Sequence, residues 1–437
     1  MPNTIYSLAT PQGVGAISII RVSGDKSLDT LQKIFKGEIE DHKLCYGDLV
    51  YEDKLVDSCM CVYMKAPRTY TREDVVEFHI HGGNAIVRQL LDILAKMGLS
   101  QAEPGEFTKR AFLNGRIDLT QGEAVMEMIN STSDMQKNIA AGQLKGSVEK
   151  FVKELSDNIL DTLAKLDVCI DYPEEDIETE TMEAVKQDLQ QVMHKIETNV
   201  SSKLAGQIVS EGYKIAIVGR PNVGKSSLLN AILGKDRVIV TDIPGTTRDT
   251  LKESYIYKDM MFTFVDTAGI RESEDVVENI GIERSFEAMD EANLVLALFD
   301  GSETLTEEDE RVLKAIEPYK HMIIVNKNDK DKTSSVEGLS ISAKEGVNIE
   351  VLLDKIYEQA QNSMGNIGII TNNRHTSLCH NAISHFNQAI DAIDMCDDVE
   401  CVEIHIREGW HKLCEITGAY YDEDIISRIF EKFCLGK

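Results

Sequence analysis

At 437 residues, 42% of them hydrophobic, the chain has material for about three domains with buried cores. A formal net charge of −28 argues against a protein that coats itself in nucleic acid by bulk electrostatics, so any RNA contact must be a local groove or be shared with a partner. No apolar run approaches the ~20 residues of a membrane helix, and Met1-Pro2-Asn3-Thr4 lacks a basic segment leading into an apolar one, so a cytoplasmic protein with no membrane association is expected.

Residues 1–118 mix short apolar strands (Ala16 to Val22, Cys59 to Tyr63, Val75 to Ile80) with turns and one helical run, Ala85 to Lys96, which reads as an α+β domain. Cys59 and Cys61 alternate along a strand and are expected to be packing residues. The nine cysteines, without CxxC spacing, fit reduced thiols better than a disulfide framework. Gly13-Val14-Gly15-Ala16-Ile17-Ser18 opens a strand but lacks the third glycine of a dinucleotide fingerprint, so redox chemistry must reside in another chain.

Residues 119–211 turn helical: Phe151, Leu155, Ile159 and Leu163, then Met182, Val185, Leu189, Val192, Ile196 and Val200, recur at steps of three and four. The acidic stretch Tyr172-Pro173-Glu174-Glu175-Asp176 between them reads as a solvated helix break. Helical periodicity returns over residues 372–437, which predicts a single discontinuous bundle with a doubly wound α/β domain, residues 212–371, spliced into it.

That inserted segment carries the chemistry. Gly219 to Ser226 fits GxxxxGK[ST] directly after the apolar run Tyr213 to Val218, and Leu228, Leu229 and Ile232 follow at helical spacing. A strand feeding a glycine loop and a helix can surround a polyphosphate with backbone N–H groups. Lys225 would reach the outer phosphates and the Ser226 hydroxyl would ligand Mg²⁺. Downstream, Gly245-Thr246-Thr247 offers a hydroxyl, Thr247, that can close on the same Mg²⁺. Asp266-Thr267-Ala268-Gly269 ends the strand Met261 to Val265, placing a carboxylate beside the metal and a backbone N–H toward the γ-phosphate. Asn326-Lys327-Asn328-Asp329 closes the strand His321 to Val325. A buried Asp329 would accept from guanine N1–H and its 2-amino group, donors that adenine does not present. Ser342-Ala343-Lys344 supports the ring from its other edge. The GTP-binding set is therefore Asn222, Val223, Gly224, Lys225, Ser226 and Ser227; Thr241, Asp242, Ile243, Pro244, Gly245, Thr246 and Thr247; Asp266, Thr267, Ala268 and Gly269; Asn326, Lys327 and Asp329; and Ser342, Ala343 and Lys344.

Ile270 follows that Gly269 where small signalling GTPases carry a water-positioning glutamine. An apolar side chain cannot orient water, so another polar group, another ion or a partner chain must. Asn222 is either a ligand for a monovalent cation such as K⁺ beside the phosphates, or a stabiliser of its own loop.

With Ile20-Arg21-Val22-Ser23-Gly24, Tyr70-Thr71-Arg72-Glu73-Asp74, His81-Gly82-Gly83, Pro104-Gly105-Glu106-Phe107-Thr108, Arg110 to Gly115 and the terminal Cys434-Leu435-Gly436-Lys437, the whole chain resembles the MnmE (TrmE) family of tRNA uridine-modification GTPases. The resemblance implies an N-terminal domain that binds 5-formyltetrahydrofolate or a related one-carbon folate and mediates a homodimer. Arg21, Glu77, Arg116 and Lys437 match the family's folate contacts. Read without it, Arg21 and Arg116 are equally surface ion-pair residues and Glu77 a core-edge carboxylate. Position 116 is Arg where some relatives have Lys, which changes the contact geometry there. The resemblance further implies K⁺ held by Asn222, Thr241, Ile243 and Thr246, Glu278 orienting water through a further water, and a catalytic association for Cys434. Taken alone, Glu278 is a charged helix start and Cys434 an inert thiol. Lys225, Thr247, Glu278 and Cys434 are thus the catalytic candidates. The implied activity is installation of a (carboxymethyl)aminomethyl group at C5 of wobble uridines in tRNA, with carbon from the folate and an FAD-dependent partner, MnmG (GidA), in a hetero-oligomer. The alternative is a ribosome- or RNA-assembly switch GTPase without modification chemistry. Such a factor would usually add a KH unit or basic tail, and the sequence has neither.

Overall fold

The computed structural model describes residues 3–171, 175–234, 253–265, 286–365, 367–395, 398–420, 423–431, 433–434 and 436. Alternating apolar strands near the N-terminus form a seven-stranded sheet: β1 (Ile5–Leu8), β2 (Ile17–Ser23), β3 (Phe35–Gly37), β4 (Leu44–Tyr51), β5 (Lys54–Met64), β6 (Val75–His81) and β7 (Ser100–Gln101). Their order is β3-β4-β5-β6-β2-β1-β7, antiparallel except for the β1–β7 pair. The period of two sends Ile20, Val22, Val76, Phe78 and Ile80 to one face, where Leu31 and Ile34 of the helix Ser27–Ile34 and Leu90, Ile93 and Leu94 of the helix Asn84–Lys96 complete the core. Cys59 and Cys61 belong to it as buried packing residues, and their mutual hydrogen bond, with burial, pushes the Cys61 thiol well above its ordinary range. Ile17, Tyr46 and Met60 are instead exposed.

The helical periodicity becomes Leu119–Asn130, Asp134–Leu144, Ser147–Asp171, Glu175–Asn199 and Lys203–Glu211 before the second sheet, and Asn373–Met395, Val399–Thr417 and Glu423–Phe430 after it. Residues 172–174 of the expected helix break lie outside the described residues. Segments from the two sides of the insertion meet: the helix Ser147–Asp171 buries Leu155 and Ile159, and its Ser156 Oγ accepts from Trp410 Nε1 of Val399–Thr417. This is the discontinuous helical part that the periodicity predicts. The chain divides into two compact units, residues 1–129, 142–185 and 385–437 in one and 130–141 and 186–384 in the other. Of the four cuts, one falls at the end of the helix Leu119–Asn130 and the others inside the helices Asp134–Leu144, Glu175–Asn199 and Asn373–Met395.

The second sheet comprises β8 (Tyr213–Val218), β9 (Glu253–Tyr257), β10 (Met260–Val265), β11 (Leu294–Asp300), β12 (His321–Asn326) and β13 (Leu339–Ser340), in the order β13-β12-β11-β8-β10-β9. All pairs are parallel except the β9 edge, and β11 is buried along its whole length, as a central strand covered on both faces must be. Leu294, Leu296 and Leu298 face the helices Lys225–Leu233 and Ile349–Met364, while Val295, Ala297 and Phe299 face the helix Glu307–Ile316. After β8 the chain pairs β10 on one side and β11 on the other. The carboxyl end of β8 is therefore the switch point where α/β sheets of this kind hold ligands.

Candidate functional site

The phosphate-loop motif sits at that switch point. Gly219 leaves β8 with φ +154°, and a Cβ there would come 2.4 Å from the Leu298 carbonyl oxygen of β11. Gly224 has φ +101°, and its Cβ would meet Asn326 Nδ2 at 2.3 Å. Only glycine lets the loop run this close to its neighbours. Asn222 adopts the left-handed region at φ +63°, which an asparagine tolerates. Gly224 then caps the helix Lys225–Leu233. The Lys225 ammonium donates to the Gly219 and Arg220 carbonyls of its own loop at 2.7 and 3.0 Å, and burial pulls its pKa down. The cradle of N–H groups and this desolvated ammonium suit a polyphosphate. Arg220 points elsewhere, pairing with Glu303 and with the buried Asp309 at 2.5 and 3.2 Å.

Asn326 joins three of the predicted motifs. It is 3% exposed, donates from Nδ2 to the Val223 carbonyl and accepts at Oδ1 from Ala343 N, both at 2.9 Å. The phosphate loop, the Asn326–Asp329 turn and the Ser342–Lys344 turn are thereby held at one sheet edge. Ser342, also buried, donates from Oγ to Asp329 Oδ1 at 2.6 Å, and this bond holds the Asp329 carboxyl below its ordinary range. One expectation needs correction: Asp329 is exposed, not buried. It lies three residues past the end of β12, on the turn at the rim, where the chain alone does not cover it. Lys344 is exposed, beside Glu345. Thr241, Asp242, Ile243, Pro244, Gly245, Thr246, Thr247, Asp266, Thr267, Ala268, Gly269, Ile270 and Glu278 lie outside the described residues, as does Lys437.

The N-terminal candidates converge independently. Arg21 on β2 and Glu77 on β6 are direct cross-strand partners, with Nε 2.8 Å from Oε1 and both side chains only 16% exposed. His79, two residues along the same strand, brings Nε2 to 3.3 Å from the other Glu77 oxygen. Burial pushes the Glu77 carboxyl up, but His79 and Arg21 outweigh it and hold the pKa at about 2. The Arg21 guanidinium lies 5.6 Å from the ring centres of both Tyr70 and Phe107. Arg116 lies 4.8 Å from the Tyr70 ring and donates to the Tyr70 carbonyl. The chain end arrives here too: Arg21 Nη1 donates to the Gly436 carbonyl at 3.4 Å, and Gly105 N to that of Cys434 at 3.4 Å. Ile426, Phe430 and Phe433 anchor the last helix against Leu119. The Cys434 thiol is exposed.

Sequence reasoning gave no role to Tyr70, Phe107 or His79. The alternation Glu77, His79 along β6 was a usable signal, whereas the two rings reach Arg21 only through tertiary packing. Among the described residues, no helix is long and apolar enough to cross a membrane.

A family model described as the MnmE helical domain matches residues 119–434, and one described as the GTP-binding protein TrmE N-terminus matches residues 4–116. The tRNA modification GTPase MnmE of Acetivibrio thermocellus is 40% identical over 455 residues, covering 100% of this chain and 99% of that protein. The Bacillus subtilis protein of the same name is 40% identical over 458 residues, covering 100% of each. Among solved structures, Era in complex with MgGDPNP and nucleotides 1506–1542 of 16S ribosomal RNA is 30% identical over 34% of this chain and 56% of that one, with a TM-score of 0.27.

Proposed function

Because the chain belongs to the MnmE family and is a GTP hydrolase of tRNA modification, we propose that it helps install a (carboxymethyl)aminomethyl group at C5 of the wobble uridine of certain tRNAs, using a folate one-carbon donor. The observation that carries this reading past a bare GTPase is the Arg21–Glu77 pair meeting Gly436 beside Tyr70. An ionised carboxylate can accept from the amide-like edge of a pterin, and Arg21, Arg116 and Lys437 can meet carboxylates or a formyl oxygen. The folate, when bound, supplies the carbon. The exposed Ile17, Tyr46 and Met60 of the N-terminal domain support a homodimer through that domain.

On the nucleotide side, Lys225 and the loop N–H groups would hold the phosphates, with Ser226 and Thr247 as the Mg²⁺ ligands. Asn222, whose amide oxygen can ligand a cation, suits a K⁺ site shared with Thr241, Ile243 and Thr246. Such a cation would neutralise charge developing on the phosphates. With Ile270 in the glutamine position, Glu278 is assigned to orient water. Opening and closing of paired GTPase domains would then reposition a joint site with an FAD-dependent MnmG partner. The four-part division 1–118, 119–211, 212–371 and 372–437, and a cytoplasmic location, belong to the same proposal.

The test is mass spectrometry of tRNA nucleosides from cells lacking the chain, complemented with wild type, Glu77→Gln or Asp266→Asn. Loss of a C5-aminomethyl-type uridine, restored by wild type alone, supports the reading. An unchanged nucleoside profile where no redundant enzyme exists sinks it and favours the assembly-switch alternative.

A further inference from the structure

The last residue of β11 is a carboxylate that no nucleotide motif includes. Asp300 closes β11 directly opposite Asn326 in the strand ladder, and its side chain is 2% exposed. Oδ1 accepts from the backbone N–H and the hydroxyl of Ser302 at 2.9 and 2.7 Å, and Oδ2 accepts from Lys327 Nζ at 2.5 Å. Burial works to raise the Asp300 carboxyl, but the bonds from Lys327 and Ser302 prevail and keep it ionised. Lys327 itself is held at φ +66°, in the left-handed region, immediately after the buried Asn326 that ties down Val223 and Ala343. Its side chain therefore runs from the end of β12 to the end of β11, along the carboxyl edge where the phosphate loop leaves β8. A lysine in this place could extend into solvent or toward phosphate; the buried anion beneath it fixes a third course.

We propose that Asp300 is a positioning residue of the nucleotide site: by anchoring Lys327 across the sheet edge it makes the lysine's aliphatic stem a wall for the base, and so sets the residence time of a bound guanine nucleotide. The proposal rests on the nucleotide site lying at this edge. A wall touches the face of the base and does not read its edge groups. Loss of the anchor should therefore weaken guanine and hypoxanthine nucleotides alike, whereas Asp329 reads the 2-amino group that hypoxanthine lacks.

The experiment uses the full chain with Mg²⁺ and fluorescent mant-GDP or mant-IDP in stopped flow. Asp300→Asn keeps the shape and the Ser302 contacts but removes the charge, and a lost charged hydrogen bond predicts release at least about tenfold faster. The two nucleotides should lose in the same proportion, and in a Lys327→Met background Asp300→Asn should add nothing further. Release within about twofold of wild type, additive effects of the two substitutions, or a shifted guanine-to-hypoxanthine ratio would each overturn the proposal. Ser302→Ala loosens the turn while leaving the ion pair. If it speeds release as much as Asp300→Asn does, turn rigidity is the cause and the anchoring role fails. Failure of the wild type to bind mant-GDP would instead strike the nucleotide-site assignment itself.

Discussion

Asn326→Ala is the sharpest test of how the nucleotide edge is built. The side chain makes two bonds at 2.9 Å to two different segments, and both partners, Val223 and Ala343, are buried. Truncation leaves a carbonyl and an N–H without their partner in a place water reaches poorly, and each orphaned group costs roughly 1–3 kcal/mol. The sum is about 2–6 kcal/mol, less whatever a water entering the space recovers. The phosphate loop and the Ser342–Lys344 turn have other attachments to the sheet, so the domain should survive while their mutual placement relaxes. The loss should then appear mainly in affinity. Mant-GDP is expected to bind some tenfold to hundredfold more weakly, and GDP should raise the thermal unfolding midpoint less than in wild type, since ligand stabilisation follows RT ln(1 + [L]/Kd). If Asn326→Ala keeps wild-type mant-GDP affinity at an unchanged midpoint, the three motifs are not held together by this side chain and the reasoning is wrong.

Other substitutions probe separate claims. Glu77 has its folded pKa depressed from 4.5 to about 2, so its contribution is present above about pH 4.5 and is lost as the pH falls through 2. That shift corresponds to an upper figure of about 3 kcal/mol, and a carboxyl-carbon NMR titration with a midpoint near 4 would refute it. Gly436→Ala places a Cβ 2.2 Å from the Leu8 carbonyl at φ +89°, and because both atoms are fixed by backbone the tail should undock. Carboxypeptidase should then remove the C-terminus faster and 5-formyltetrahydrofolate should bind more weakly; unchanged digestion would argue against the docked tail. Asp329→Asn replaces an acceptor with a donor, so GTP affinity should fall while xanthosine triphosphate, which carries a carbonyl in place of the 2-amino group, should gain. No gain for the xanthine nucleotide would remove Asp329 from base recognition. Glu278→Ala should slow turnover with little change in GTP affinity; equal loss of both would count against water positioning.

What was legible in the sequence follows from the range of the forces involved. Strands β2, β6, β8, β10 and β12 appear within a residue or so of the apolar runs, because side-chain alternation and continuous burial are written locally. Gly219 and Gly224 were readable as glycines that a loop needs, but only the fold shows that one makes room for the Leu298 carbonyl and the other for Asn326. The same limit explains Asp300 and the Arg21–Glu77 pair. Asp300 meets Lys327 across the β11–β12 ladder and Arg21 meets Glu77 across β2–β6, and pairing register is not a local property. It also explains the one misjudged burial. Asp329 belongs to a motif read as a recognition pocket, yet among the described residues the carboxylate is held at the rim by the Ser342 hydroxyl and by its own backbone N–H. Its remaining acceptor capacity faces outward from the rim. An exposed carboxylate held in position this way is suited to a ligand that brings its own paired donors. On this account Ser342→Ala should weaken GTP binding by loosening Asp329 while leaving the preference for guanine over xanthine intact. Competition binding of the two nucleotides to Ser342→Ala decides it: a changed preference would mean that Ser342 takes part in reading the base itself.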